Sequence, residues 1–343
     1  LLDRDQVVAR ATGRPLALDE RALERVEARS GSLRGDPAIL AALRRKQAML
    51  PDGSVMLPPP GTAPGCIVRH GGTTLVVLPG PPWELETMWE AALGEPVLAE
   101  VIARAPAADE RVLRIHGVPE STLVSVIADL DRADWGRLRV GICARDGELE
   151  MTVRCAPADS GAADALEALV VEGLGDAVFS RDGATIDDVV ARLLTAAGQT
   201  VAVAESCTGG GLGERLTARA GSSAYVLGGI ISYADAVKVG VLGVDPAVIA
   251  RHGAVSPECA AQMAVGARHL LGSDWAVAIT GIAGPGGGSD EKPVGLVHLA
   301  LAGPAGVVHL EQRRGGDRDS IRARAVAGAL HLLRLGISGT AGG

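Results

Sequence analysis

A serine, a tyrosine, a lysine and an arginine stand in four short polar segments in the C-terminal half of this 343-residue chain, and each is of a type that can do chemistry. The first segment is ESCTGGG, in which Ser206 follows the alternating apolar run VAVAE and precedes Thr208, Gly209 and Gly210. A strand that breaks into Ser, Thr and paired glycines where a helix begins sets a hydroxyl among uncommitted backbone N–H groups. Such a turn offers its donors to an anion, or lets the serine attack a carbonyl whose oxyanion those donors stabilise. A serine N-cap on an ordinary βα turn accounts for the same residues, so this segment alone leaves both readings open.

An aliphatic hydroxyl needs an activator near neutral pH. The second segment, SYADAVKVGVLGV, supplies Tyr233 and Lys238, whereas the first two segments hold no histidine and His252 leads into a GAVSP turn. A desolvated lysine can take the serine proton, and a tyrosine can relay it or orient a substrate. A solvated lysine flanking a strand and a packed tyrosine with a satisfied hydroxyl are the alternatives.

The third segment, TGIAGPGGGSDEKPVG at 280–295, opens its backbone N–H groups around Gly284, Gly286 and Gly287. It does not match GxxxxGK[ST], because Lys292 precedes a proline, so it suits a monophosphate or carboxamide better than a triphosphate. In the fourth, RRGGDRDSIR, Asp319 or Ser320 can start a helix, and Arg318, held by the GGD turn, is the guanidinium expected to close on a substrate; Arg313, Arg314 and Arg322 read as ordinary surface arginines. Glu205, Asp290 and Glu291 could hold a divalent ion, but no compact ligand motif accompanies them, so no metal is expected here. Glu205 is expected instead to orient loop backbone or Lys238.

These segments need a scaffold that brings strand ends together. From residue 176 to 338 the chain alternates helix and strand: TIDDVVARLLTAAG with a Thr185/Asp188 capping box, QTVAVAE, GGIISYA, a helix from Ser256–Pro257, the buried strands WAVAITGIAG and GLVHLALAG, and a long final helix. This order predicts a three-layer α/β domain, in which loops beyond the carboxyl ends of strands converge on one crevice. Residues 111–175 read as a small α+β domain with a hairpin turn at Asp146–Gly147. Residues 1–105 read as a partial α/β domain, with helices over 18–29 and 38–50, an irregular loop over 51–66, and a strand, turn and helix over 73–93.

The fold class expected is therefore multidomain α/β. A net charge of −8 without a basic block argues against nucleic acid as a partner. The five cysteines form no CxxC pair, which points to reduced thiols and a cytoplasmic protein; Cys207, beside Ser206, is the one weighed for reactivity. No apolar stretch reaches membrane-spanning length.

AVAESCTGG, ISYADAVKVGVLGV, HGAVSPECAAQMA, ITGIAGPGGGSDEKPVG and GGDRDSIR, in that order, resemble the C-terminal domain of the competence/damage-inducible CinA family over roughly residues 180–337. The resemblance implies a nicotinamide-nucleotide amidase that hydrolyses nicotinamide mononucleotide to nicotinate mononucleotide and ammonia, a step of pyridine-nucleotide salvage, without a cofactor. It implies Ser206 as nucleophile, Tyr233 and Lys238 as activating pair, and Arg318 in substrate binding; N–H groups from Thr208 to Gly210 are placed to receive the oxyanion. It also implies a homo-oligomer.

RKQAMLPDGSVMLPPPGTAPG and LPGPPWELETM resemble the later part of that family's molybdopterin-binding-like domain, which in some members is a metal-requiring ADP-ribose pyrophosphatase. The family's GGLGPTxDD-type segment is not present before LLDRDQVVAR, so the expectation is a truncated domain, with a divalent metal needed only if a residual pyrophosphatase persists. A non-catalytic nucleotide-binding protein associated with competence is the remaining alternative.

Overall fold

Apolar alternation in the C-terminal half of the chain separates large from small side chains, and that separation builds the fold around the candidate site. A computed structural model describes residues 4–31, 35–128, 136–145 and 147–339. The chain is a multidomain α/β protein with distinct N-terminal, middle and C-terminal regions, and it divides into two units, Leu1–Pro106 and Ala107–Gly343.

In the first unit, α1 (Arg4–Thr12), β1 (Leu16–Leu18), α2 (Glu20–Ser30) and α3 (Pro37–Gln47) precede β2 (Met49–Pro51), β3 (Val55–Leu57), β4 (Gly65–His70), β5 (Thr73–Val77), α4 (Pro82–Leu93) and α5 (Pro96–Ala103). Two expectations are corrected here. The helix expected to reach residue 50 stops at Gln47, because Met49–Pro51 pairs antiparallel with Leu16–Leu18. The segment 51–66 is not wholly irregular: β3 pairs with the start of β4, and Leu57 and Cys66 are buried on that pairing. Sheet partners distant in sequence decide both cases, which local Pro and Gly content does not register.

In the second unit, β6 (Asp109–His116), α6 (Glu120–Ala128), β7 (Leu138–Arg145), β8 (Glu148–Cys155), α7 (Ser160–Leu174) and β9 (Val178–Ser180) form the middle region. Its antiparallel sheet has the order β7-β8-β6-β9, so the strand Val178–Ser180 belongs to it. Arg145 pairs with Glu148, and Gly147 has φ +89°; Asp146, the other residue of the expected hairpin turn, lies outside the described residues.

The C-terminal region runs through α8 (Ile186–Ala197), β10 (Val201–Glu205), α9 (Gly211–Thr217), β11 (Val226–Ile231), α10 (Asp235–Gly240), α11 (Pro246–His252), α12 (Pro257–Leu271), β12 (Trp275–Gly281), β13 (Leu296–Gly303), β14 (Gly306–Arg313) and α13 (Arg318–Ile337). The sheet order is β11-β10-β12-β13-β14, with β11, β10 and β12 parallel and the last two strands antiparallel. Successive residues of a strand face opposite ways. Val201, Val203, Val277, Ile279, Leu299 and Leu301 therefore pack into one core with α8, α9 and α13. Ala202, Ala204, Ala276, Ala278, Ala300 and Ala302 form the other core with α12. The alanine face lets α12 come close; a Cβ on its Gly266 would lie 1.9 Å from the Leu242 carbonyl oxygen.

The expected caps are present at Thr185, with its reciprocal Asp188 contact, and at Ser256. The final helix is capped by Asp317, not by Asp319 or Ser320, because the Asp317 carboxylate accepts the Ser320 N–H at 2.8 Å. No helix among the described residues is long and apolar enough to cross a membrane.

The middle and C-terminal regions meet at the far end of α13. His331 stacks on His116 of β6 with ring centroids 3.6 Å apart and shares a 3.0 Å hydrogen bond with Glu148 of β8. Burial pushes His116 down to about 3 and His331 well below its ordinary 6.5, while Arg334, Arg215 and Arg314 oppose a further positive charge. Burial also raises the Glu148 carboxyl.

An unfolded chain binds protons on both histidines below about pH 6.5 that the folded protein refuses, so this contribution to stability is complete above that pH and is lost as the pH falls. Glu148 contributes with the opposite sign, as one group against two. Chemical denaturation at about pH 5 and about pH 7.5 is expected to show lower stability at the acid value, each histidine contributing a slope approaching ~1.4 kcal/mol per pH unit. His331→Asn should flatten that slope; an unchanged slope would exclude the histidine as its source.

Candidate active site

The ends of β11, β10 and β12 lie side by side, because Glu205 pairs with Ile231 on one side and with Ile279 on the other. The backbone continues this alignment: the Ser206 N–H donates to the Ile279 carbonyl at 2.9 Å and the Ser232 N–H to the Glu205 carbonyl at 2.7 Å. The chain leaves β10 for α9 on the valine face, but leaves β11 for α10 to α12 on the alanine face. Loops that part to opposite faces open a crevice at the carboxyl ends of the strands, where open α/β sheets bind ligands.

Ser206 begins the turn after β10. It is half-buried, and among the described residues its hydroxyl makes no hydrogen bond. Glu205, 1% exposed, folds its carboxylate over the start of α9 and accepts the N–H groups of Gly210 (3.1 Å), Leu212 (3.0 Å) and Gly213 (2.8 Å). These are the donors a helix N-terminus leaves unpaired. The carboxylate is thus committed to loop backbone, one of the two roles expected of it.

The same contacts sort the oxyanion donors. The Gly210 N–H goes to Glu205 and the Gly209 N–H to the Ser206 carbonyl at 3.1 Å, whereas the N–H groups of Cys207 and Thr208 are taken by no partner among the described residues. Gly209 and Gly210, at φ +60° and +102°, supply the left-handed backbone that the turn needs. Cys207 is 6% exposed and its thiol is pushed up to about 11 by burial, so it stays protonated and unreactive.

Lys238, on α10, is 1% exposed rather than solvated. Its ammonium donates to the Tyr233 carbonyl and to Asp235 Oδ1, both at 3.2 Å, which occupies two of its three N–H directions. Tyr233 is 61% exposed, so it is not a packed core tyrosine, and its hydroxyl accepts from Arg318 at 3.3 Å. Arg318 also donates to the Gly284 carbonyl at 2.6 Å.

The first residue of α13 thereby joins the second and third segments, while no hydrogen bond ties Ser206 to Lys238 or Tyr233. The N–H groups of Gly284, Gly286 and Gly287 have no backbone partner among the described residues. Lys292 is spent on structure: its ammonium donates to the carbonyls of His252 and Val255, anchoring the glycine-rich loop to the turn before α12.

Sequence reasoning passed over Arg322, which donates to the Thr208 carbonyl at 2.8 Å. Its spacing of four from Arg318 on one helix was the available signal, since residues so spaced share a face. A cavity of about 780 Å³ between the middle region and helices α8, α9 and α13 is lined by Thr208 and Arg322, but by none of Ser206, Tyr233, Lys238 and Arg318.

Among the described residues, one group of three has metal-ligand atoms in mutual reach, within 4.8 Å: His116, Glu148 and His331. Its imidazoles are stacked 11° from parallel, so no single ion can lie in the plane of both rings, and Arg334 and Arg215 add positive charge. That arrangement suits a neutral stacked pair better than a metal.

Comparisons with known proteins agree with this layout. Residues 183–337 match a family described as the CinA C-terminal domain, and residues 4–100 match a probable molybdopterin binding domain. The CinA-like protein of Mycolicibacterium vanbaalenii is 47% identical over 347 residues, covering 97% of this chain and 80% of the relative. That of Mycolicibacterium gilvum is 45% identical over 344 residues, with the same two shares. A crystal structure of competence/damage inducible protein CihA from Agrobacterium tumefaciens is 46% identical over 45% of this chain and 95% of that one, with a TM-score of 0.43. With relatives this similar over nearly its whole length, and with a CinA C-terminal domain behind a molybdopterin-binding-like one, the chain belongs to the CinA family.

Proposed function

We propose that residues 183–337 form a serine amidohydrolase that converts nicotinamide mononucleotide and water to nicotinate mononucleotide and ammonia. The observation that carries the reading is the Ser206 hydroxyl, free of intramolecular hydrogen bonds, at the mouth of a switch-point crevice beside the unused N–H groups of Cys207 and Thr208. The choice of substrate rests on the five ordered motifs that resemble the family's deamidase domain.

In this reading Ser206 Oγ bonds to the carboxamide carbon while its proton passes to Lys238 in its neutral form, directly or through the Tyr233 hydroxyl. The carbonyl oxygen becomes an oxyanion held by the Cys207 and Thr208 N–H groups. Its collapse breaks the C–N bond, and the leaving nitrogen takes the proton from Lys238 and departs as ammonia. Water then adds to the acyl ester, gives its proton to Lys238, and the C–O bond to Ser206 breaks, returning that proton to Oγ and releasing nicotinate mononucleotide. Arg318 and the N–H groups of Gly284, Gly286 and Gly287 receive the substrate's anionic end.

The test is ammonia release from nicotinamide mononucleotide by the purified full-length chain, with nicotinate mononucleotide formed one for one. Folded protein that releases no ammonia above the buffer control would overturn the assignment.

A further inference from the structure

Arg322 stands outside the reacting groups, yet its side chain reaches from the final helix to hydrogen-bond the turn carrying Ser206. Its guanidinium donates to the Thr208 carbonyl at 2.8 Å across 114 residues of chain, and the same oxygen accepts the Gly211 N–H at 3.3 Å. The second terminal nitrogen lies 3.6 Å from Asp319, whose side chain is 92% exposed, so that contact is weak. Two charged groups therefore hold the turn: Glu205 binds the N–H groups on its far side, and Arg322 binds the carbonyl of Thr208. The peptide between Thr208 and Gly209 is held at both ends, its carbonyl by Arg322 and its N–H by the Ser206 carbonyl at 3.1 Å, and the second bond closes the turn whose two central residues carry the Cys207 and Thr208 N–H groups. Thr208 is fully buried and its hydroxyl has no partner among the described residues, so its side chain does not share this task.

A carbonyl that accepts a charge-assisted hydrogen bond restrains the plane of its own peptide, and here that peptide's N–H closes the turn on Ser206. An oxyanion site works through donors that are already in place when charge develops. Building on the proposed serine chemistry, we infer that Arg322 is a positioning residue for that reaction, holding the Thr208–Gly209 peptide that closes the turn so that the Cys207 and Thr208 N–H groups within it stay aimed at the developing oxyanion. Arg318 differs in kind: it reaches outward to Tyr233 and the Gly284 carbonyl, where a substrate anion would be met. The two arginines, one helical turn apart, thus divide orientation of the enzyme's own backbone from recognition of the ligand.

Arg322→Ala is expected to lower kcat about tenfold to hundredfold with KM changed less than about threefold, because the loss falls on the transition state. Arg318→Ala should act mainly on KM. Arg322 lines the cavity of about 780 Å³, so guanidinium ion can reach the vacated position, and at millimolar concentration it is expected to restore part of kcat in Arg322→Ala but not in Arg318→Ala or wild type.

Arg322→Lys, which keeps a charge and a single donor, should retain more kcat than the alanine variant. A loss confined to KM, or a wild-type kcat in Arg322→Ala, would overturn the inference. Inactive wild-type protein would instead count against the deamidase reading itself. If Arg322→Ala is too unstable to assay, Arg322→Lys and Arg322→Gln carry the test, with the order Arg, Lys, Gln expected in kcat and near-constant KM.

Discussion

Ser206→Ala is expected to reduce ammonia release from nicotinamide mononucleotide by at least about 10³-fold, with melting temperature and substrate affinity close to wild type. The size follows from the chemistry: without Oγ there is no acyl intermediate, and water must attack unaided by a covalent step. The mild effect on folding follows from the structure. The hydroxyl has no hydrogen-bond partner among the described residues, so its removal strands no buried donor or acceptor, and the Ser206 N–H still reaches the Ile279 carbonyl. A parallel measurement is the mass of the denatured protein after rapid quench, which should show a nicotinoyl-nucleotide adduct on wild type and none on the variant. Activity within about tenfold of wild type would replace covalent catalysis by direct attack of water.

The second large effect is expected at Lys238. Lys238→Met keeps the length and bulk of a side chain that is 1% exposed and removes its ammonium. The predicted loss is about 10²- to 10⁴-fold in kcat, the range of a general base acting on a positioned hydroxyl. Stability is expected to fall modestly. The Asp235 side chain that loses its partner is 57% exposed and returns to water, whereas the Tyr233 carbonyl loses a donor in a part-buried setting, a cost of about 1–3 kcal/mol. Activity of Lys238→Met within about tenfold of wild type would remove Lys238 from the proton path and leave Tyr233 as the group to test.

Most elements of the C-terminal region were readable because their signals are local. The Thr185 capping box, the Ser256–Pro257 helix start and the Val/Ala alternation of β10 and β12 lie within a few residues of the elements they specify. In the first unit the signals compete. Met49–Pro51 continues an apolar helical pattern yet pairs with Leu16–Leu18, and Val55–Leu57 sits among prolines yet joins a sheet. β14 went unassigned because an edge strand whose residues are mostly exposed has little apolar alternation to display.

At the site, residue types and their spacing made Ser206, Tyr233, Lys238 and Arg318 candidates, and the order of strands predicted that their loops share one end of a sheet. Hydrogen-bond allocation was not legible, since it depends on which donor a folded neighbour reaches first. Only the tertiary structure shows the Gly210 N–H committed to Glu205, the Cys207 and Thr208 N–H groups left over, and Arg322, rather than Arg318, holding the serine turn. A residue's chemistry is carried by its side chain and can be read one position at a time. Its availability is set by partners up to 114 residues away, and those meet only when the sheet and the final helix have packed.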